Sequence, residues 1–139
     1  HFLITDSAIA AGTYMTPLTD IQTIACQLAH LAFSYFYKYN RYDEFTLKCV
    51  DKSLKFYPMN PNAIIIKMKS LDVLLRKHLI QNGYLRDYYT DMIDAQYIQC
   101  IKDLLSTHWT HVTEELHQKW SISQEEADSI RRNIIYIDK

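Results

Sequence analysis

The stretch FSYFYKYNRYDEF, residues 33–45, carries seven aromatic rings in thirteen positions. Tyr35, Tyr37 and Tyr39 alternate as they would on a β-strand, but they lie inside a longer pattern of helical period. Large rings are well suited to fill the space where two packed helices meet at a turn. We therefore interpret the stretch as the joint between two helices, rather than as a strand or a surface that stacks on bases.

A first helix is predicted upstream of this joint, over residues 18–39. Apolar residues recur there every three or four positions, which is the period of a helix with one broad buried face. The start is placed either at Thr16 or at Thr19, because each precedes a residue that suits a first turn. The residues that carry the pattern are Ile21, Ile24, Ala25, Leu28, Ala29, Leu31, Ala32, Tyr35 and Phe36.

A second helix follows after a short break at Asn40 and Arg41. Its apolar face runs from Phe45 to Phe56, and Pro58 ends it. Since the connection is so short, the second helix has to fold back antiparallel to the first in order to bury that face. The two helices are expected to form a hairpin.

Turn residues mark a third helix over residues 61–81. Asn60 is suited to cap it, with Pro61 in the first helical position. Asn82 and Gly83 tolerate the left-handed backbone that often ends a helix. We expect this helix to begin the second hairpin.

Apolar spacing predicts a fourth helix over residues 85–106, and the segment after it either continues that helix or forms a fifth. Ser123 with Glu126 makes a capping box for a last helix over residues 124–137. Residues 1–16 show no convincing helical period and are expected to be irregular or weakly helical. The total is about six helices.

The composition supports a single all-α domain over residues 1–139. An apolar content of 48% suffices for one core, and two glycines and three prolines provide few turns. A net charge of −1 gives no field that favours a polyanion. The odd set of Cys26, Cys49 and Cys100 lacks CxxC spacing and is interpreted as free, mostly buried thiols.

Membrane and nucleic-acid roles are not expected. The longest uncharged run, Ile21 to Tyr37, is short for a bilayer and contains polar residues, which predicts no membrane span. The aromatic stretch holds only two basic residues, Lys38 and Arg41, beside two acidic ones, whereas surfaces that stack on bases interleave rings with positive charge.

The segments FYKYNRYDEF and VDKSLKFYPMNPNAI resemble a tetratricopeptide repeat. The Ser-Leu pair at 53–54 takes the place of the usual Ala-Leu, and Pro58 takes that of the closing proline. Ser34 stands for the common glycine, and Phe45 or Thr46 for a small alanine. The resemblance implies antiparallel hairpins stacked in a short right-handed array, and a helical bundle outside this family is the alternative.

An inner groove, lined by the first helix of each hairpin, is also implied by the resemblance. The family's carboxylate clamp uses lysine and asparagine, and here only Lys69 and Asn62 have that character. Recognition of a chaperone C-terminus is therefore not supported, and another peptide or protein partner is expected. The residues placed in the groove are Gln27, His30, Ser34, Tyr37 and Lys38 from the first helix, and Asn62, Ile65, Lys69 and Asp72 from the third.

Chemical motifs are sparse. His108, His111 and Glu115 share one helical face and are suited to zinc, but the HExxH arrangement is missing and a solvated polar helix gives the same pattern. The sequence has no glycine-rich phosphate loop and no nucleophile motif. We expect no catalytic residue, no metal and no cofactor.

The sequence thus predicts a non-enzymatic protein-interaction or scaffold module, with Tyr37 and Tyr39 as aromatic anchors. The alternative is an accessory helical domain of a larger multidomain protein, for example an enzyme, in which it docks against the catalytic domain. A first residue, His1, that is not methionine and the irregular first sixteen residues favour this alternative.

Overall fold

The computed structural model describes residues 9–11 and 16–108. Four helices lie wholly within these ranges, and no strand occurs in them, which confirms the all-α prediction. The expected last helix over residues 124–137 and most of residues 1–16 lie outside the described residues. The four helices are α1 (Asp20–Tyr39), α2 (Glu44–Phe56), α3 (Pro61–Gln81) and α4 (Tyr88–Ser106).

Side-chain caps fix where α1 and α3 begin. Thr19, rather than Thr16, caps α1: its hydroxyl oxygen accepts from the Gln22 amide, and the Thr19 amide donates to Gln22 Oε1 at 3.0 Å, which completes a capping box. Asn60 caps α3 with Pro61 in its first turn, as predicted. A reciprocal hydrogen bond thus decides between the two starts that the sequence allowed.

The connection between α3 and α4 differs from the prediction in two details. Gly83 adopts the left-handed backbone as predicted, with a φ of 60°, but the second left-handed residue is Tyr84, with a φ of 65°, and not Asn82. The fourth helix begins at Tyr88 rather than 85, because Asp87 accepts a hydrogen bond from the Thr90 amide at 3.0 Å and caps the helix there. The apolar period alone did not reveal this cap.

Contacts between helix ends show that successive helices are antiparallel. Ser53, late in α2, donates its hydroxyl to the carbonyl oxygen of Ala25, early in α1, at 2.6 Å. The Thr46 hydroxyl, early in α2, lies 2.7 Å from the Ser70 hydroxyl in the middle of α3, about as far beyond the connecting turn as Thr46 lies before it. Ser106, at the end of α4, lies 3.9 Å from the Met59 sulfur just before α3. Each helix therefore packs against the next, and α1 also contacts α3.

Small side chains fill the contact between α1 and its neighbours. Ala25, Ala29 and Ala32 are at most 1% exposed, and Ser53 of α2 is completely buried opposite Ala25. Small residues let two helix backbones approach closely, so the interior holds little space for larger groups. The core between the first three helices consists of Ala29, Ala32, Cys49, Val50, Ala63 and Ile66.

All three cysteines are free, as predicted, and two of them are buried. Burial raises the pKa of the Cys100 thiol to about 11. Since the thiolate is the reactive form, this thiol is a poor nucleophile at neutral pH. Among the described residues, no helix is both long and apolar enough to cross a bilayer.

The alanine face yields a stability prediction. Ala32→Leu adds three carbon atoms where there is no space, and we expect it to lower the free energy of unfolding by about 1–3 kcal/mol. Ala95→Leu is the matched control on the exposed surface of α4, with an expected change within about 0.5 kcal/mol. Urea denaturation of both variants measures the difference, and equal effects would contradict the close packing of α1.

Candidate functional site

A groove of about 260 Å³ lies between α1 and α3. Ala29 and Phe33 form its wall on α1, and Ile65 and Ile66 form the wall on α3. Three polar side chains, those of His30, Asn62 and Lys69, and the ring of Tyr42 complete the lining. Drug-sized ligands and cofactors occupy sites of about 300–1,000 Å³. The groove is therefore sized for one or two side chains rather than for a whole cofactor.

The aromatic joint between α1 and α2 places Tyr42 in this groove. Tyr42 stacks on Phe36 with ring centroids 4.3 Å apart and an interplanar angle of 11°. On the other side of the joint, Tyr35 contacts the rings of Tyr39 and Phe45 at 4.7 and 4.6 Å. The predicted joint of packed rings is confirmed, and it fixes a turn residue against the third helix.

A polar network holds the same joint. Tyr35 donates its hydroxyl to Asp43 Oδ2 at 2.8 Å, and the Arg41 guanidinium donates to the Tyr35 hydroxyl oxygen at 2.8 Å. Burial acts to raise the pKa of the Asp43 carboxyl. Hydrogen bonds from Tyr35 and from the amides of Phe45 and Thr46, helped by the Arg41 charge, outweigh burial and hold this pKa below its usual range. The Asp43 carboxylate is thus stabilised in its charged form while it caps α2.

Positive charge lies at one rim of the groove. Lys69 Nζ sits 5.7 Å from the centroid of the Tyr42 ring, within the range of a cation–π contact. Lys69, Asn62 and His30 are all exposed, so their polar groups are accessible to a partner. The combination offers an apolar floor, hydrogen-bonding groups and one cation.

Only part of the residue set expected in the groove comes together there. His30, Asn62, Ile65 and Lys69 line it, whereas Asp72 forms an ion pair with Arg76 at 3.1 Å beyond its end. Gln27, Ser34 and Lys38 are exposed on α1 but do not line the groove.

Tyr37, expected as an anchor, is 74% exposed and does not line the groove, but its ring makes an edge contact with that of Phe33 at 4.8 Å. Phe33 and Tyr42 were missing from the expected set. Phe33 lies three residues after His30 and four before Tyr37, on the same face of α1, so its helical spacing could have placed it in the groove. Tyr42 lies in the turn between two helices, where no period applies.

The histidine cluster expected on a helix is not assembled by the described residues. His108 comes after the end of α4 and has a left-handed backbone, with φ of 51°. His111 and Glu115 lie outside the described residues. Within residues 9–11 and 16–108, no three histidine, cysteine or acidic side chains are grouped to hold a metal ion.

Comparison of the chain with family models, with curated proteins and with solved structures found no match. The function proposed below therefore rests on the geometry of the described fold and groove alone.

The joint yields a prediction that depends on pH. Tyr35→Phe removes the hydroxyl and should lower the free energy of unfolding at pH 7 by about 1 kcal/mol. The folded-state pKa of Asp43 is depressed, so the hydroxyl's contribution is present above the unfolded pKa of about 3.9 and is lost as the pH falls through the folded value. The difference in the free energy of unfolding between the variant and the natural chain should become smaller below about pH 4.

Tyr37→Phe is the control for this measurement. The Tyr37 side chain is 74% exposed, and its hydroxyl makes no hydrogen bond within the part of the chain that the structure describes. Its removal should leave the unfolding curve unchanged at both ends of the pH range. A Tyr35→Phe cost that stays constant down to pH 2 would contradict the assigned role of Asp43.

Proposed function

We propose that the protein is a non-enzymatic module that binds a peptide or an extended protein segment in the groove between α1 and α3. One observation carries the proposal: an apolar floor next to exposed His30, Asn62 and Lys69 in a cleft open to the surface. Binding sites combine apolar lining with a few placed polar groups in this way. The groove's size favours one inserted side chain over a substrate or cofactor.

The groove's chemistry suggests the type of segment. Phe33, Ile65 and Ile66 offer contact to an apolar side chain, and removing that side chain from water contributes favourably to the binding free energy. Lys69 and Asn62 at the rim favour an acidic group or a main-chain carbonyl one or two positions away. We therefore propose a short segment with an apolar residue next to an acidic one.

We also propose that α1–α2 and α3–α4 are two hairpins of an array like that of tetratricopeptide repeats. Support comes from the packing of each helix against the next, together with the additional contact of α1 with α3. Buried Ser53 supports it as well, because it takes the small-residue position of the motif and contacts the backbone of α1. In such an array the first helices of successive hairpins line one surface, and the groove lies between these two.

The binding proposal is tested with peptides selected from a random display library on the whole chain. We expect Lys69→Ala to raise the Kd of the selected peptides about tenfold, which corresponds to about 1.4 kcal/mol, because the rim cation is lost. Lys77→Ala is the matched control, since Lys77 is also an exposed lysine of α3 but does not line the groove. Fluorescence anisotropy gives both Kd values.

Circular dichroism confirms that each variant is folded. If neither lysine substitution changes the Kd, the peptides bind elsewhere and the groove is not the site. If no peptide is enriched by the natural chain above a blank selection, the proposed peptide-binding role is wrong.

A further inference from the structure

A second apolar surface lies on α1, away from the groove. Ile21, Ile24 and Leu31 are 52%, 60% and 48% exposed, and Leu28 between them is half-buried. Their spacing of three, four and three residues places them on one face, which we call the α1 stripe. The buried alanines, which form the contact with α2 and α3, occupy a different face, and the outer parts of Ile21, Ile24 and Leu31 are left exposed. Contiguous exposed apolar surface of this kind marks an interaction site.

A basic row on α2 runs beside the α1 stripe. Phe45 and Phe56, 41% and 37% exposed, stand at its ends, and exposed Lys48 and Lys52 lie between them at helical spacing. The ring of Phe45 contacts Tyr35, the next position on the stripe's face of α1, with centroids 4.6 Å apart. Because α1 and α2 are antiparallel, the row and the stripe lie side by side along both helices.

The lysines of this row have no acidic partner. Lys48, Lys52 and the adjacent Lys55 form no ion pair in the part of the chain that the structure describes. Asp51 on the same helix pairs instead with Lys67 of α3 at 2.7 Å. The apolar face is thus bordered on one edge by uncompensated positive charge.

From this arrangement we infer that the face formed by the α1 stripe and the α2 row docks an amphipathic helix of another protein, with an apolar stripe and a row of acidic residues along one edge. An amphipathic helix laid on an apolar face matches side chains at spacings of three and four. Complementary charge along the edge sets its orientation and speeds association. A second copy of this chain offers the same lysine-edged face, and two such faces brought together place like charges opposite each other, which disfavours that pairing.

The test uses two designed peptides on the whole chain, each as long as α1 at 20 residues. Both peptides carry leucines at the same helical spacing, and they differ only in having glutamate or lysine along one edge of the apolar stripe. We expect the glutamate peptide to bind at least tenfold more tightly than the lysine peptide in anisotropy measurements at low salt, and added salt to weaken it.

Matched variants locate the site. Ile24→Glu puts a charge into the stripe and should weaken the glutamate peptide more than tenfold. Ile80→Glu changes an isoleucine of α3 with nearly equal exposure, 63% against 60%, and should leave binding unchanged. Lys52→Glu should weaken the glutamate peptide and strengthen the lysine peptide.

Several outcomes would overturn the inference. If the two peptides bind equally well, the lysine row does not select an acidic partner. If Ile24→Glu is folded and leaves the binding unchanged, the peptide does not bind at the α1 stripe. Self-association of the natural chain in sedimentation that Ile24→Glu abolishes would assign the face to a second copy. Lys69→Ala should leave the glutamate peptide unaffected, so failure of this site and failure of the groove are distinguishable.

Discussion

The three buried alanines of α1 are the constraint on which the described structure depends. Ala25, Ala29 and Ala32 let α1 approach both α2 and α3, and buried Ser53 adds a hydrogen bond to the α1 backbone at 2.6 Å across the same contact. With the small side chains facing inward, the large apolar side chains of α1 are left on its flanks. One flank becomes the wall of the groove, and the other becomes the exposed stripe from Ile21 to Leu31.

The aromatic joint fixes the turn between α1 and α2, which lies beyond the last of the three buried alanines. At the C-terminal end of α1 the helices are joined by a turn, and the rings of Phe36 and Tyr42 stack in the space between them. The Tyr35 hydroxyl and Asp43 connect the same turn to the cap of α2. Packing and capping therefore act on the same few residues, and together they hold Tyr42 against Lys69 at the groove.

Much of the described fold was predictable from local signals. The bounds of α3 and the joint at residues 33–45 followed from proline, asparagine and ring placement, because these residues act within a few positions of themselves. The start of α4 was missed, since the apolar period continues upstream while the Asp87 cap decides the first turn. His30, Asn62 and Lys69 were predicted to line the groove, and they do. On α1, however, the side of the helix that borders the groove carries Ala29 and Phe33 instead of the expected Gln27, Ser34 and Lys38. Which side of α1 borders the groove depends on packing between helices that are distant in sequence.

Amide chemical shifts test the central claim, that the groove between α1 and α3 is the binding surface, most directly. They are recorded for the labelled whole chain as a display-selected peptide is added. The account predicts the largest shift changes in residues 29–33 and 62–69, with Tyr42 between them in sequence. Changes confined to α4 or to the outer face of α2, with the residues around Phe33 and Lys69 unmoved, would contradict it.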